Sequence, residues 1–138
     1  ILSMSPDTSR RYLGYFEDAY LVHPVSRWGK TNERSLSPKK IYACDLGIKH
    51  LFIGDRDWGS YFENYIYLRL RQHQQVHYVR HGDNELDFLT GDKTLIEVKY
   101  NAELHGEQQK AFDAFPATRK QIIRSIRDAH VIDELWQR

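Results

Sequence analysis

The sequence has 138 residues, with 20 lysines and arginines against 19 aspartates and glutamates, so its formal net charge is only +1. This charge excludes an acidic tail or a strongly basic arm, and any surface for nucleic acid must therefore be local. Hydrophobic residues make up 41% of the chain and aromatic residues 13%, which excludes a disordered protein. The length predicts one globular domain with room for part of a neighbour.

The chain contains a single cysteine, Cys44. One cysteine excludes an intrachain disulfide and a cysteine-based zinc cluster. No stretch has the pattern of a signal peptide or of a long apolar span, so we expect a reducing, cytoplasmic setting and no membrane partner. The sequence opens at Ile1 rather than at a methionine, and we expect it to be a fragment of a longer protein.

The first part of the chain predicts a helix followed by a short strand. Ser5 and Pro6 are typical of a helix start, and a strand is predicted over 21–25. Helix then strand, with Arg10 and Arg11 on the helix, resembles the end of a winged helix-turn-helix; a solvated charged face is the alternative. The helix carries apolar residues at steps of three and four, namely Tyr12, Leu13, Phe16, Ala19 and Tyr20.

Residues 26–40 contain few apolar groups and predict a loop that joins two parts. We therefore expect one unit over 1–38, consisting of the partial winged-helix segment and a linker, and a second unit over 39–138. In the second unit the pattern predicts a mixed α/β fold. The predicted elements are a strand over 39–45, a helical turn over 46–52, a helix from 59 to about 73, three antiparallel strands between 77 and 100, a helix before Pro116, a strand over 119–126 and a last strand or helical turn over 131–136.

Two of the predicted strands combine apolar residues with charged ones. Strand alternation places Asp87, Glu97 and Lys99 together on one face. Carboxylates bind Mg²⁺ together with water and phosphate, and a nearby lysine can act on the attacking water. The pattern therefore indicates phosphodiester hydrolysis that depends on Mg²⁺ or Mn²⁺. The opposite face, predicted to be the core, carries Leu86, Phe88, Ile96 and Val98.

These residues resemble the motif of the PD-(D/E)xK nuclease superfamily. Asp87 matches the first carboxylate, Glu97-Val98-Lys99 matches the acidic-x-Lys triplet, and Glu63 stands where the preceding helix often supplies another acid. The sequence is most similar to one branch, the nuclease-like C-terminal domain of prokaryotic AAA+ ATPases, which has no assigned function. The segments that carry this similarity are 12–22, 40–47, 62–64, 85–88 and 96–100.

The resemblance implies a restriction-endonuclease-like core over 39–138, with a central mixed sheet flanked by helices. It also implies DNA as a partner, and Mg²⁺ or Mn²⁺ held by Asp87, Glu97, Glu63 and the carbonyl of Val98, with Lys99 at the water. The ATPase domain would precede this chain, since no phosphate-binding Gly-x-x-x-x-Gly-Lys-Ser/Thr loop occurs in it. Both a single chain and an oligomer are compatible with the pattern.

Each candidate residue has a structural alternative. Glu63 follows Ser60 at the spacing of a capping box. Asp87, Glu97 and Lys99 could form an ion-pair ladder on a half-exposed sheet. The corresponding alternative function is a non-cleaving DNA- or protein-binding module that regulates the attached ATPase. The histidines His73, His77 and His81 have the spacing of a helical zinc pair, but we expect them to be solvated and free of metal.

The register of the hairpin that contains Asp87 decides whether this site can form. Asp87 shares a face with Glu97 only if the numbers of directly opposed residues add up to an even number. Pairing Asp87 with Ile96 would instead place Asp87 and Glu97 on opposite faces of the sheet. A three-residue loop over 91–93 or a β-bulge would produce the even register. The loop would place Lys93 at a positive φ, which is unfavourable for lysine, so the bulge is the favoured device.

Overall fold

The computed structural model describes residues 4–136. Within that range the protein has a mixed α/β fold of six α-helices, one 3₁₀ turn and two sheets, which confirms the predicted class. Residues 1–3 and 137–138 lie outside the described range. The expectation that the chain is a fragment of a longer protein was drawn from Ile1, which is one of these residues. None of the described helices is long and apolar enough to cross a membrane.

The N-terminal helix and strand form where the sequence predicts them. Helix α1 spans Pro6–Asp18, and the hydroxyl of Ser5 accepts the N–H of Thr8 at its start. Strand β1, Val22–Val25, pairs antiparallel with β2, Lys40–Ala43, in a two-stranded sheet. The helix followed by a strand is thus present, and the first sheet joins segments from both sides of residues 26–38.

The prediction of a loop over 26–40 is wrong in part, because helix α2 spans Thr31–Leu36. The carboxylate of Glu33 accepts the backbone N–H of Lys30 and so satisfies a donor at the start of this helix. None of the α2 residues is buried. An exposed helix with a single apolar residue, Leu36, has no apolar periodicity, which is why the sequence pattern missed it.

Helices α3, Leu46–Ile53, and α4, Trp58–Leu70, follow β2 and confirm the two predicted helical segments. Helix α4 begins slightly earlier than expected, because Asp57 is its N-cap and accepts the N–H of Ser60. It also ends before the predicted residue 73. Three of its buried side chains, Phe62, Ile66 and Leu70, belong to the core on one side of the larger sheet.

The larger sheet has four strands in the order β3-β4-β5-β6. The first three are antiparallel, as predicted, and β6 runs parallel to β5, so the sheet is mixed. Helix α5, Gly106–Ala114, makes the crossover from β5 to β6. A 3₁₀ turn, Asp128–His130, leads into helix α6. The last predicted element, over 131–136, is therefore a helix rather than a strand. The strands are β3, Val76–His81; β4, Asn84–Thr90; β5, Thr94–Val98; β6, Arg119–Ile123; and the last helix is α6, Val131–Trp136.

Both faces of this sheet are covered, and Leu86 does not lie with Phe88 as predicted. Phe88 packs with the α4 residues, while Leu86 packs with Leu89 and with Phe112 of α5. The cause is a β-bulge. Pairing passes from His77–Leu89 to Val79–Leu86, so β4 contains one extra residue at this point and the in-and-out alternation is reset.

The β4–β5 hairpin has the even register that the candidate site requires, with Phe88 opposite Ile96. The loop is the three-residue loop over 91–93, and Lys93 has a φ of 61°. The preference for a bulge at this turn is therefore wrong. Hydrogen bonds outweigh the strain at Lys93, since its N–H donates to the carbonyl of Thr90 and its own carbonyl accepts the N–H of Thr118.

Candidate functional site

The strands β4 and β5 separate just beyond the pair Phe88–Ile96, and side chains there replace the backbone ladder. The N–H of Asp87 donates to Oε2 of Glu97 at 3.1 Å, and the N–H of Val98 donates to Oδ2 of Asp87 at 3.0 Å. Each carboxylate thus binds the backbone of the opposite strand. The bulge and the end of the ladder bring Asp87 and Glu97 together.

Glu97 is fully buried, as are all the other residues of β5. Its Oε1 accepts a hydrogen bond from Nε2 of Gln108 at 2.6 Å and lies 3.3 Å from Nζ of Lys99. Burial, with the neighbouring Asp87 carboxylate, raises the pKa of Glu97 to about 7. The ion pair between Glu97 and Lys99 is present, but the strand that carries Glu97 is buried rather than half-exposed. Gln108, on α5, is a close partner of the site.

Glu63 lies on α4 and turns toward β2. Its Oε1 accepts the hydroxyl of Tyr42 at 2.6 Å and Nζ of Lys40 at 3.1 Å. The alternative of a capping box is wrong, because Asp57 caps α4 and the hydroxyl of Ser60 instead accepts Nζ of Lys49. Glu63 thus faces the candidate site rather than the helix terminus.

Lys40 is the site residue that the sequence analysis missed. Its Nζ lies 3.1 Å from Glu63, 3.1 Å from Glu85 and 3.2 Å from Asp87. Burial by itself lowers the pKa of Lys40, but the carboxylates of Asp87, Glu63 and Glu85 outweigh it and raise the pKa above the ordinary value. The spacing Lys40-x-Tyr42 in one strand was the available signal, since both side chains reach Glu63.

Asp87 is the centre of this network. Burial and the carboxylate of Glu63 raise its pKa, and the ammonium of Lys40 opposes the rise. Contacts run without interruption from Glu63 through Lys40 to Asp87, then to Glu97 and Lys99. The structure therefore joins all four charged residues of the predicted site, with Lys40 inserted between two of them.

The donor types suit Mg²⁺, which takes one or two carboxylates and completes its shell with water. The oxygens of Asp87 and Glu97 are engaged, however, because each of the four accepts a hydrogen bond or ion pair from Lys40, Val98, Gln108 or Lys99, or from the Asp87 N–H. Within residues 4–136, no group of three His, Cys, Asp or Glu side chains is arranged to hold a metal ion. A metal ion would have to replace internal donors.

Two cavities share Tyr100 in their lining, and the first of them borders this network. One, of about 330 Å³, is bounded by Glu63, Lys99 and Tyr100. The other, of about 510 Å³, is mostly apolar and aromatic, and Tyr100 lines it as well. Its further lining includes His50, Trp58, Tyr61, Phe62 and Tyr65. The charged network thus opens beside a surface of aromatic rings.

The remaining candidates do not join the site. His77 is buried and its Nδ1 faces the carbonyl of Ser26, so the expectation that it is solvated is wrong. Several lysines and arginines outside the site are held in ion pairs. These pairs are Arg69–Asp133, Arg119–Asp92, Arg124–Glu103 and Lys110–Glu107.

Comparison with known proteins adds one match. The profile of a protein family described as Domain of unknown function (DUF8612) matches residues 1–58, less than half of the chain. The matched segment includes Lys40 and ends before Glu63, Asp87 and Glu97. No curated protein and no solved structure shows significant similarity to the sequence.

Proposed function

We propose that this protein hydrolyses phosphodiester bonds of DNA in a reaction that depends on Mg²⁺ or Mn²⁺. The observation that carries the proposal is the pairing of Asp87 and Glu97 where β4 and β5 separate, with Lys99 3.3 Å from Glu97. The proposal includes a restriction-endonuclease-like core. The order α4, three antiparallel strands, α5 and a parallel β6 supports that core.

Each residue has a distinct role in this proposal. Asp87 and Glu97, with the carbonyl of Val98 and assistance from Glu63, would hold the metal ion, which would supply stabilisation of the charge that develops on the phosphate. The ammonium of Lys99 forms an ion pair with Glu97, and its remaining N–H groups can donate to the attacking water or to a phosphate oxygen.

DNA as the substrate is supported by the aromatic cavity beside Lys99. Exposed rings bind nucleic acid by stacking on bases, and Trp58 and Tyr100 are both partly exposed in this cavity. A net charge of +1 means that any DNA-binding surface of this chain must be local. The proposal also includes an ATPase domain of the same protein as a partner, a partial winged-helix character for residues 1–38, and a cytoplasmic location.

A second function is favoured by one specific observation. Internal donors occupy the oxygens of Asp87 and Glu97, and Lys40 neutralises part of the charge of Asp87. This arrangement suits a module that binds DNA or protein without cleavage and regulates the attached ATPase.

Cleavage of supercoiled and branched DNA with Mg²⁺ or Mn²⁺ tests the two functions. We expect wild type to nick the DNA and Asp87→Asn to lose at least a hundredfold in rate, because the variant keeps the shape of the side chain and loses its charge. Asp83→Asn is the matched control, since Asp83 is exposed in the turn between β3 and β4. DNA binding by wild type without cleavage with either metal would favour the regulatory module.

A further inference from the structure

We propose that the aromatic cavity beside α4 binds one unpaired base of a DNA strand, so that the substrate is single-stranded or branched DNA rather than an intact duplex. This cavity, of about 510 Å³, is lined by residues of α3 and α4, by Tyr100 just after β5 and by Ile126 just after β6. The proposal rests on the proposed function, because it names the substrate class of that activity.

The rings that line the cavity are held in place by bonds within the protein. The hydroxyl of Tyr61 donates to the carbonyl of Gly54 at 2.8 Å, and the hydroxyl of Tyr65 accepts Nη1 of Arg69 at 2.8 Å. Both rings are therefore oriented before a ligand arrives. A flat ligand that enters between such rings loses little free energy to ordering of the cavity wall.

Large apolar side chains in this cavity are open to solvent. Trp58 is 58% exposed and Tyr100 is 38% exposed. Exposed apolar side chains that cluster in a concave surface are typical of ligand-binding sites, and flat aromatic ligands pack well against ring faces. A nucleobase is such a ligand, since every base has a π-face that stacks on tryptophan or tyrosine.

A cation lies on the side of the cavity where the phosphate of a bound nucleotide would be needed. Tyr100 also lines the cavity of about 330 Å³ that contains Lys99. The carboxylates in that second cavity are already partnered, because Asp57 caps α4 and Glu63 accepts from Lys40. The two cavities thus offer rings at one end and an ammonium at the other. A nucleotide has the matching division into a flat base and an anionic phosphate.

The charges near the cavity favour an unpaired strand over a duplex. A duplex hides the faces of its bases, so a protein binds it mainly through lysines and arginines that neutralise phosphates. Here Lys49 donates to the carbonyl and hydroxyl of Ser60, and Arg69 pairs with Asp133. Affinity must therefore come largely from stacking, and only an unpaired base leaves its faces free for it.

The test is a fluorescence-anisotropy titration of the 138-residue chain in EDTA, which separates binding from metal-dependent cleavage. We expect labelled oligothymidylate to bind at least about tenfold more tightly than a duplex of the same length, and Trp58→Leu to lose about tenfold in affinity for the single strand. Trp58→Phe, which keeps a ring, should retain most of the affinity. Tyr15→Leu should match wild type, because Tyr15 is an equally exposed ring on α1, outside both cavities.

Several results would overturn the proposal. They are the absence of binding to the single strand, equal binding of strand and duplex, equal binding by Trp58→Leu and wild type, and a loss in Trp58→Phe as large as that in Trp58→Leu. Self-association of the chain that Trp58→Leu abolishes, without DNA binding, would instead assign the cavity to a second copy.

A measurement on wild type covers the case in which Trp58→Leu does not fold. A single strand that contains iodouracil forms photochemical crosslinks to the ring on which the base stacks, and mass spectrometry should locate them on Trp58 or Tyr100. Crosslinks confined to residues outside the cavity would contradict the proposal. Binding that depends on Trp58 without cleavage with Mg²⁺ or Mn²⁺ would reject the nuclease while supporting the base site. Metal-dependent cleavage of branched DNA at equal rates by wild type and Trp58→Leu would do the reverse.

Discussion

The two ends of the β4–β5 hairpin hold aspartates in opposite electrostatic conditions. At the turn, Asp92 accepts hydrogen bonds from Thr90, Thr94, Arg119 and Trp136. Burial by itself raises the pKa of Asp92, but these donors outweigh it and hold the pKa well below the usual range. The carboxylate at the turn is thus stabilised in its charged form.

At the open end, Asp87 faces Glu63 and Glu97, and the pKa values of Asp87 and Glu97 are raised by burial and by neighbouring carboxylates. The two ends lie on the same pair of strands, so the strand pattern does not separate them. Their difference is the ratio of donors to carboxylates. Excess donors stabilise a fold, whereas excess carboxylates store unfavourable charge that a cation can relieve.

Removal of the turn aspartate should have the largest effect on stability. We expect Asp92→Ala to lower the free energy of unfolding by about 3–4 kcal/mol, because it leaves the donors of Arg119 and Trp136 without their acceptor. Urea denaturation measures this change. Asp83→Ala, at an exposed position of the preceding turn, should change stability by less than about 0.5 kcal/mol. A similarly small change in Asp92→Ala would show that the turn does not depend on this carboxylate.

The pH dependence of stability should reveal the raised pKa of Glu97 at the open end of the hairpin. The pKa of Glu97 is about 7 in the folded chain and 4.5 as its ordinary value, so folding takes up a proton between these pH values. Stability should therefore rise as pH falls from 8 to 5, by up to about 3 kcal/mol for this difference. Below pH 4 it should fall, because Asp92, whose folded pKa is depressed, then loses its charged interactions.

Denaturation of the metal-free chain in EDTA at several pH values, with Glu97→Gln as the comparison, isolates this contribution. The variant lacks this titrating group, so its stability should rise less than that of wild type as pH falls from 8 to 5. An equal slope in wild type and Glu97→Gln would assign the pH dependence to other groups.

Relief of the strained residue at the turn should have the smallest effect. Lys93 is exposed and has a positive φ, so we expect Lys93→Gly to raise the free energy of unfolding by about 0.5–1 kcal/mol. Lys93→Ala, which shortens the side chain and keeps the backbone strain, should change little. Thermal unfolding of both variants checks the difference, and a gain in the alanine variant alone would exclude backbone strain as the cause.

Local patterns in the sequence determined most of the elements and the composition of the site. Apolar periodicity located α1, α4 and the three antiparallel strands, since periods of 3.6 and 2 residues reflect local geometry. The spacing of Asp87, Glu97 and Lys99 predicted that these residues form one cluster. Parity alone showed that the hairpin required an even register, which the pairing of Phe88 with Ile96 confirms.

Only the tertiary structure decided how those charges are partnered. Lys40, Tyr42 and Gln108 reach Glu63, Asp87 or Glu97 from 11 to 47 residues away in the sequence. The bulge that moves Leu86 to the α5 side likewise depends on the pairing of β4 with β3. Periodicity records which face of its own element a residue occupies. The partner of a buried charge is set by how separate elements pack, and this packing placed an ammonium among the carboxylates of the candidate site.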